Sequence, residues 1–230
     1  MKIAIIGAME QEVELLRGKI DAATTTTIAG CEFIEGSVGS HEVILVKSGI
    51  GKVNAAVATT LLIQNYAPEA ILNTGSAGGF KEDLEVGAVV ISDEVRHHDV
   101  DVTAFGYEIG QVPGMPNAFR SDDKLIALAK EAVEEIGEHR HATGLIASGD
   151  VFMSDPSRVQ LVKKQFPTMI AAEMEAAAVA QVCHQFGTPF VVIRALSDIA
   201  GQEASISFDE FLPLAAKHSS EIVMHVLSKL

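Results

Sequence analysis

Tryptophan is absent, tyrosine occurs twice, and aromatic residues make up only 5% of the 230-residue chain. A core built on large rings is excluded. Hydrophobic residues at 48% are enough for an aliphatic core, a buried sheet covered by helices. Basic residues are also scarce: 17 Lys and Arg stand against 31 Asp and Glu, a net charge of −14. So acidic a surface repels nucleic acid and anionic membranes and argues against both as partners. The only cysteines are Cys31 and Cys183, in neither a CxxC nor a Cys/His spacing. They read as buried free thiols in a reducing cytosol. No apolar run approaches the roughly 20 residues of a transmembrane helix. Ile3 to Ala8 is cut short by Glu10 and Glu12, too early for the apolar region of a signal peptide. The expectation is a soluble cytoplasmic protein with one domain over 1–230.

What is present is an alternation of short apolar runs and amphipathic stretches, the pattern of an α/β fold. Strands are expected at Ile3–Ile6, Ala70–Asn73, Ala88–Val95, Ala142–Ala147, Met169–Ala172 and Phe190–Ile193. Ile28–Val38 and Glu42–Lys47 read as an antiparallel pair turning at Gly39-Ser40, and Thr24–Thr27 as a turn. Helices are expected from Glu10, from Val53 to about Tyr66, over Asp122–Ile136 and Pro156–Phe166, and after Glu173. Ser207 to Glu210 matches a capping box for a last helix, and Pro213 calls for a kink or a later start. Thr103 to Phe119 is a long loop, of a length that usually serves function or an interface.

Candidate chemistry concentrates in Glu173–Asp198, EMEAAAVAQVCHQFGTPFVVIRALSD. In open α/β sheets ligands sit at the carboxyl ends of strands. That rule brings Glu175, before a helix, and Asp198, after a strand, to one pocket. Glu12 lies just beyond another strand end, although acids in a first helical turn are also favoured by the helix dipole alone. Thr74–Gly79 holds three glycines. Such a stretch suits backbone approach to a phosphate, a sugar hydroxyl or a catalytic water, or is simply a tight turn. Ser48-Gly49-Ile50-Gly51-Lys52 completes neither GxGxxG nor GxxxxGK[ST]. His97-His98-Asp99-Val100-Asp101 looks like metal ligands, but adjacent side chains on a strand diverge, so no metal is expected.

The segments IIGAMEQEVELL, KSGIGKVNAA, NTGSAGG, DVTAFGYE, SGDVFM, AAEMEAAAVA and FVVIRALSD, in this order, closely resemble the bacterial 5′-methylthioadenosine/S-adenosylhomocysteine nucleosidases of the nucleoside phosphorylase superfamily. The resemblance implies a three-layer fold, a mixed, twisted central sheet flanked by helices, and a homodimer. It implies hydrolysis of the N-glycosidic bond of methylthioadenosine, S-adenosylhomocysteine and 5′-deoxyadenosine, without cofactor or metal. Methionine salvage, removal of a methyltransferase inhibitor and autoinducer-2 formation would follow. Carried onto this sequence, Asp198 is the general acid and Glu12 activates water. Glu175 and the backbone of Met174 hold ribose hydroxyls, while Ser76 and Arg194 support the water and ribose side. Phe152 stacks on adenine, backbone groups around Met153 read its edge, and Ser197 orients Asp198. Met9, Ile50, Val102 and Phe208 line the 5′-thio pocket, which Phe105 and Pro113 reach from the neighbouring subunit. A phosphorylase or a non-catalytic nucleoside sensor are the rival readings.

Overall fold

The computed structural model describes residues 1–137, 139–202 and 204–230, with 204–206 described by backbone alone. The chain opens with β1 (Lys2–Gly7), helix α1 (Glu10–Arg17) and a meander of β2 (Asp21–Ile28), β3 (Cys31–Val38) and β4 (His41–Lys47). Helix α2 (Lys52–Tyr66) leads into β5 (Ala70–Gly79) and β6 (Val89–His97). A 3₁₀ turn at Thr103–Phe105 and the short β7 (Phe119–Arg120) precede α3 (Asp123–Ile136). Then come β8 (His141–Ser148), α4 (Pro156–Gln165), β9 (Met169–Glu173), α5 (Ala176–Phe186), β10 (Phe190–Ile199) and α6 (Ala204–Lys229).

β1 lies parallel between β4 and β5, and its residues Ile3–Gly7 are buried. A strand covered on both faces reads as a continuous apolar run. Its side chains alternate between two helical layers. Ala4 and Ile6 belong to the cluster with Ala58 of α2 and Val179 of α5, whereas Ile3 and Ile5 pack with Val13 of α1, Ala129 of α3 and Val223 of α6. These are the three expected layers, with the mixed sheet in the middle.

Beyond β5 the sheet does not stay open. β5 pairs parallel with β10, β10 antiparallel with β6, β6 parallel with β8, and β8 parallel with β9. β9 returns to β5, antiparallel, through Ala171 and Ala172 against Gly79 and Gly78. The five strands thus close on themselves. The closure brings the carboxyl end of β9 to that of β5, although the two run in opposite directions.

Several expected boundaries move. Thr24–Thr27 is not a turn but part of β2, an exposed edge strand paired with Glu32–Glu35 of β3. β-Branched threonine suits such an edge, where no apolar face is needed. Ile28 ends β2, and the chain reverses at Ala29-Gly30, both with positive φ. β5 continues through Thr74–Gly79 and β10 through Ile199, because each keeps the other as a ladder partner, Arg194 opposite Gly75 and Asp198 opposite Gly78. Helix α6 starts ahead of the anticipated capping box. Ser207 Oγ donates to Ser197 O (3.1 Å) instead of capping, and the helix runs through Pro213 without a later start. Cys31 and Cys183 are both buried free thiols, and burial pushes the Cys183 thiol up to about 12. Among the described residues no helix is long and apolar enough to cross a membrane.

Candidate active site

The site is built around the last residue of β9. Glu173 Oε2 accepts hydrogen bonds from Glu175 N (3.0 Å) and Ala176 N (2.8 Å), so it closes the amino end of α5 with negative charge. Ser148 Oγ donates to Glu173 Oε1 and accepts from Ala177 N (2.7 Å). The same Oε2 meets Arg194 Nη2 in an ion pair. Arg194, 1% exposed, also donates from Nη2 to Asn73 Oδ1 (3.0 Å) and from Nη1 to Thr74 O (2.9 Å). A guanidinium buried this deeply demands such partners. Glu175 stands 3.8 Å from Arg194 and accepts Gly51 N (2.7 Å). Burial pushes the Glu175 carboxyl up to about 8; the charge of Glu173 adds to this and Arg194 opposes it.

Glu12, in the first turn of α1, is 1% exposed. Its Oε2 accepts Ala8 N (2.9 Å) and Met9 N (3.1 Å), and its Oε1 accepts Ser76 N (2.9 Å) and Ser76 Oγ (3.0 Å). Gly75 is what lets this group and Arg194 lie against β5. A Cβ there would sit 2.2 Å from Arg194 Nη1 and 2.5 Å from Glu12 Oε1, and its φ is +144°. Asp198 follows an irregularity in the β10–β5 ladder. Ser197 Oγ donates to its Oδ1 (2.8 Å), and Oδ2 lies 3.0 Å from where a Gly78 Cβ would be. Burial raises the Asp198 carboxyl, opposed by the Ser197 hydrogen bond.

Glu12, Glu173, Glu175 and Asp198 open into one cavity of about 210 Å³, whose apolar lining includes Met9, Ile50, Phe152, Met153, Met174 and Phe208. Phe152 meets Phe208 edge to face, with centroids 5.6 Å apart. No Lys or Arg lines the cavity among the described residues. A buried acid, Asp198, whose pKa is raised by burial, and a second carboxyl bound only by donors, Glu12, share this space. That pair can protonate a leaving group and accept a proton from water.

The phosphorylase superfamily profile matches residues 2–228. A 5′-methylthioadenosine/S-adenosylhomocysteine nucleosidase from Lysinibacillus sphaericus is 65% identical over the whole of both chains. The Bacillus thuringiensis enzyme of that name is 60% identical, again over both full lengths. The chain belongs to the 5′-methylthioadenosine/S-adenosylhomocysteine nucleosidases of the phosphorylase superfamily. Solved nucleosidase structures agree. The Neisseria meningitidis protein, in complex with methylthio-immucillin-A, superposes with a TM-score of 0.98 at 49% identity, covering 100% of this chain and 99% of its own. The Colwellia psychrerythraea protein, in complex with adenine, gives 0.98 at 51% identity, covering 100% and 96%.

Within this nucleosidase fold most of the implied site residues gather as anticipated: Met9, Glu12, Ile50, Ser76, Phe152, Met153, Met174, Glu175, Ser197, Asp198 and Phe208 all line the cavity. Arg194 does not; it lies behind the wall, spent on Glu173, Asn73 and Thr74. Val102 does not line it either. It precedes the 3₁₀ turn Thr103–Phe105, just past the segment that Asp99 ties to Lys52 (2.5 Å), and so is held outside the cavity of its own chain. Phe105, 81% exposed, and Pro113, also exposed, are likewise outside it. In the Thr74–Gly79 stretch the Ser76 amide is bonded to Glu12. His97 Nε2 faces Gln181 Oε1 (3.0 Å), and burial lowers both His97 and His98. Among the described residues no His, Cys, Asp and Glu are grouped to hold a metal. Read from sequence, Glu173 has no role beyond opening the stretch that ends at Asp198. Its position directly before an alanine-rich helix signals a cap, but nothing local signals Arg194, which reaches it from β10.

Proposed function

We propose that this chain hydrolyses the N-glycosidic bond of 5′-methylthioadenosine and S-adenosylhomocysteine, with Asp198 as general acid and Glu12 as the acceptor of the water proton. Adenine leaves poorly as an anion. Protonation at N7 makes departure feasible, and a carboxyl whose pKa burial raises is suited to supply it. The ribose then takes on oxocarbenium character. Glu12, held by Ala8, Met9 and Ser76, faces that charge and readies the attacking water. Glu175, with its proton retained near neutrality, and the Met174 backbone take the ribose hydroxyls. Phe152 and Phe208 enclose the purine and the 5′ substituent with Met9 and Ile50. No step needs a metal or an organic cofactor. The whole of 1–230 acts as one domain in the cytoplasm, on the salvage of methionine and the route to autoinducer-2.

The observation that carries this reading is the shared cavity. Glu12 from α1 and Asp198 from β10 open into the same cavity. The phosphorylase alternative fails on charge. Phosphate needs cationic donors, yet the lining residues bring four carboxyls and the nearest guanidinium is already committed behind the wall. Adenine release from methylthioadenosine, followed by absorbance in phosphate-free buffer, tests the reading. Full turnover without phosphate is expected, and Asp198→Asn should fall below about a tenth of wild-type kcat. A strict phosphate requirement, or an active Asp198→Asn, would overturn it; binding without adenine release would leave a sensor. We also propose a homodimer in which Phe105 and Pro113 complete the neighbour's 5′ pocket. Phe105 shares its exposure with Val53 (74%) and Ile50 (52%), large apolar residues that a second copy would cover. Light scattering that finds only monomer would remove this part.

A further inference from the structure

The loop Gly149–Met153, between β8 and α4, carries Val151, Phe152 and Met153 into the cavity but lies outside the strands and helices. Its second residue, Asp150, is exposed, and sequence reasoning gave it no role. Asp150 Oδ1 accepts Lys52 N (2.8 Å), at the first turn of α2. Asp150 N donates to Asp99 Oδ2 (3.0 Å), and Lys52 Nζ donates to Asp99 Oδ1 (2.5 Å). Three side chains from β8–α4, α2 and β6–β7 thus close a ring.

The residue before Lys52 serves the other end of the site. Gly51 N donates to Glu175 Oε1 (2.7 Å), and Ile50, one further back, lines the cavity. Two consecutive amides of one helix start therefore hold two carboxyl groups: Glu175 on the ribose side, and Asp150 at the base of the purine loop. Gly51 fits because its φ is +94° and because a Cβ there would stand 3.1 Å from Asp150 Oδ1. An anion at a helix amino end is stabilised by free N–H groups and the dipole, so Asp150 is held firmly although it is exposed.

We propose that Asp150 is a positioning residue for the reaction: clamped to the α2 amino end and to the Asp99–Lys52 pair, it fixes the purine loop and the Gly51 amide that holds Glu175. This rests on the assignment of Phe152 to adenine and Glu175 to ribose. The charged and titratable groups in the clamp are Asp150, Asp99 and Lys52, with His98 packed against Gly149. The side chains of Lys52 and Asp99 are 18% and 24% exposed, so the clamp borders the surface without contributing to the core.

The test separates binding from chemistry and from folding. Asp150→Ala should raise KM for methylthioadenosine and Kd for adenine, each about tenfold, with kcat within about threefold of wild type and Tm little changed. Asp150→Asn keeps an oxygen to accept Lys52 N and should stay within about threefold of wild type in both. A merely structural role would lower Tm and the active fraction but leave KM and adenine affinity untouched. An adenine Kd for Asp150→Ala within about twofold of wild type, or an Asn variant as impaired as the Ala one, overturns the proposal. A second route removes only the donor. Lys52→Pro deletes the amide N–H at a helix position that favours proline, and Lys52→Met keeps it. If Asp150→Ala does not fold, adenine binding about tenfold weaker in Lys52→Pro than in Lys52→Met supports the clamp, and equal binding overturns it. Adenine Kd by calorimetry keeps the two readings apart. A wild type that binds adenine but does not release it from methylthioadenosine sinks the catalytic assignment, while the clamp is still judged by the variants.

Discussion

At the scale of single residues, Gly75 shows how much a side chain's absence can carry. It has no room for a methyl group between Arg194 and Glu12, and its φ of +144° is one that L residues rarely adopt. Gly75→Ala should therefore push both groups off their positions and lower kcat/KM by at least about a hundredfold, with the fold retained by circular dichroism. An Ala variant within about threefold of wild type would show that the contact is slack. Phe152→Ala is expected to act on binding: loss of a stacked base costs roughly 1–3 kcal/mol, read as a weaker adenine inhibition constant. An unchanged constant removes Phe152 from the purine. The glycines of Thr74–Gly79 were legible as a place of close approach, but not as to what approaches. A missing Cβ reports only that space is needed. Here two charged side chains and Asp198 take that space. Arg194 was legible as a charge at the site, and its position behind the wall was not, because Glu173, Asn73 and Thr74 lie far from it along the chain.

At the scale of elements, α5 is held at its amino end by Glu173. Glu173 answers two amide donors, a serine hydroxyl and a buried guanidinium at once. Glu173→Ala would leave the Glu175 and Ala176 amides without their acceptor and strip the buried guanidinium of its ion pair, and removal of one partner of a buried pair costs about 3–5 kcal/mol. The urea midpoint should fall accordingly, and a loss below about 1 kcal/mol would mean that water or Glu175 replaces it. The strands were legible wherever apolar runs are continuous, as in β1 and the first half of β10. Their ends were not, because ladder pairing rather than hydropathy carries β5 on to Gly79 and β10 on to Ile199. β2 escaped notice for the opposite reason: an exposed edge needs no apolar pattern, so four threonines gave no period to read. The closure of five strands through two residues of β9 has no local signal at all.

At the scale of the whole molecule, the buried acids make stability depend on pH in a stated direction. Glu175 titrates at about 8 when folded and at its ordinary 4.5 when free, chiefly because burial disfavours its charge. Between those values the folded chain holds a proton that the unfolded chain has released. Its contribution is complete below about 4.5 and is lost as pH climbs through 8. Asp198 is raised by burial and acts in the same sense. His97 and His98 act oppositely, since burial lowers both; they add stability as pH rises towards the ordinary 6.5 and are silent above it. Glu10, drawn down to about 2 by Arg17 and Lys47, matters only in acid. The window from about pH 7 to 8, above the histidines and below the ordinary 9 of the buried Cys31 and Cys183 thiols, therefore isolates the site acids, and Tm should fall across it. Glu175→Gln has no proton to lose and should flatten that slope while leaving the profile below about pH 4.5 unchanged. The rate should follow the same acids, because a deprotonated Asp198 has no proton to give, so kcat/KM is expected to decline as pH rises through the raised Asp198 value. A melting temperature level from pH 7 to 8 in wild type, or the same slope over that range in Glu175→Gln, would show that Glu175 does not retain its proton in the folded chain, and the ribose would then meet two charged carboxylates instead of one.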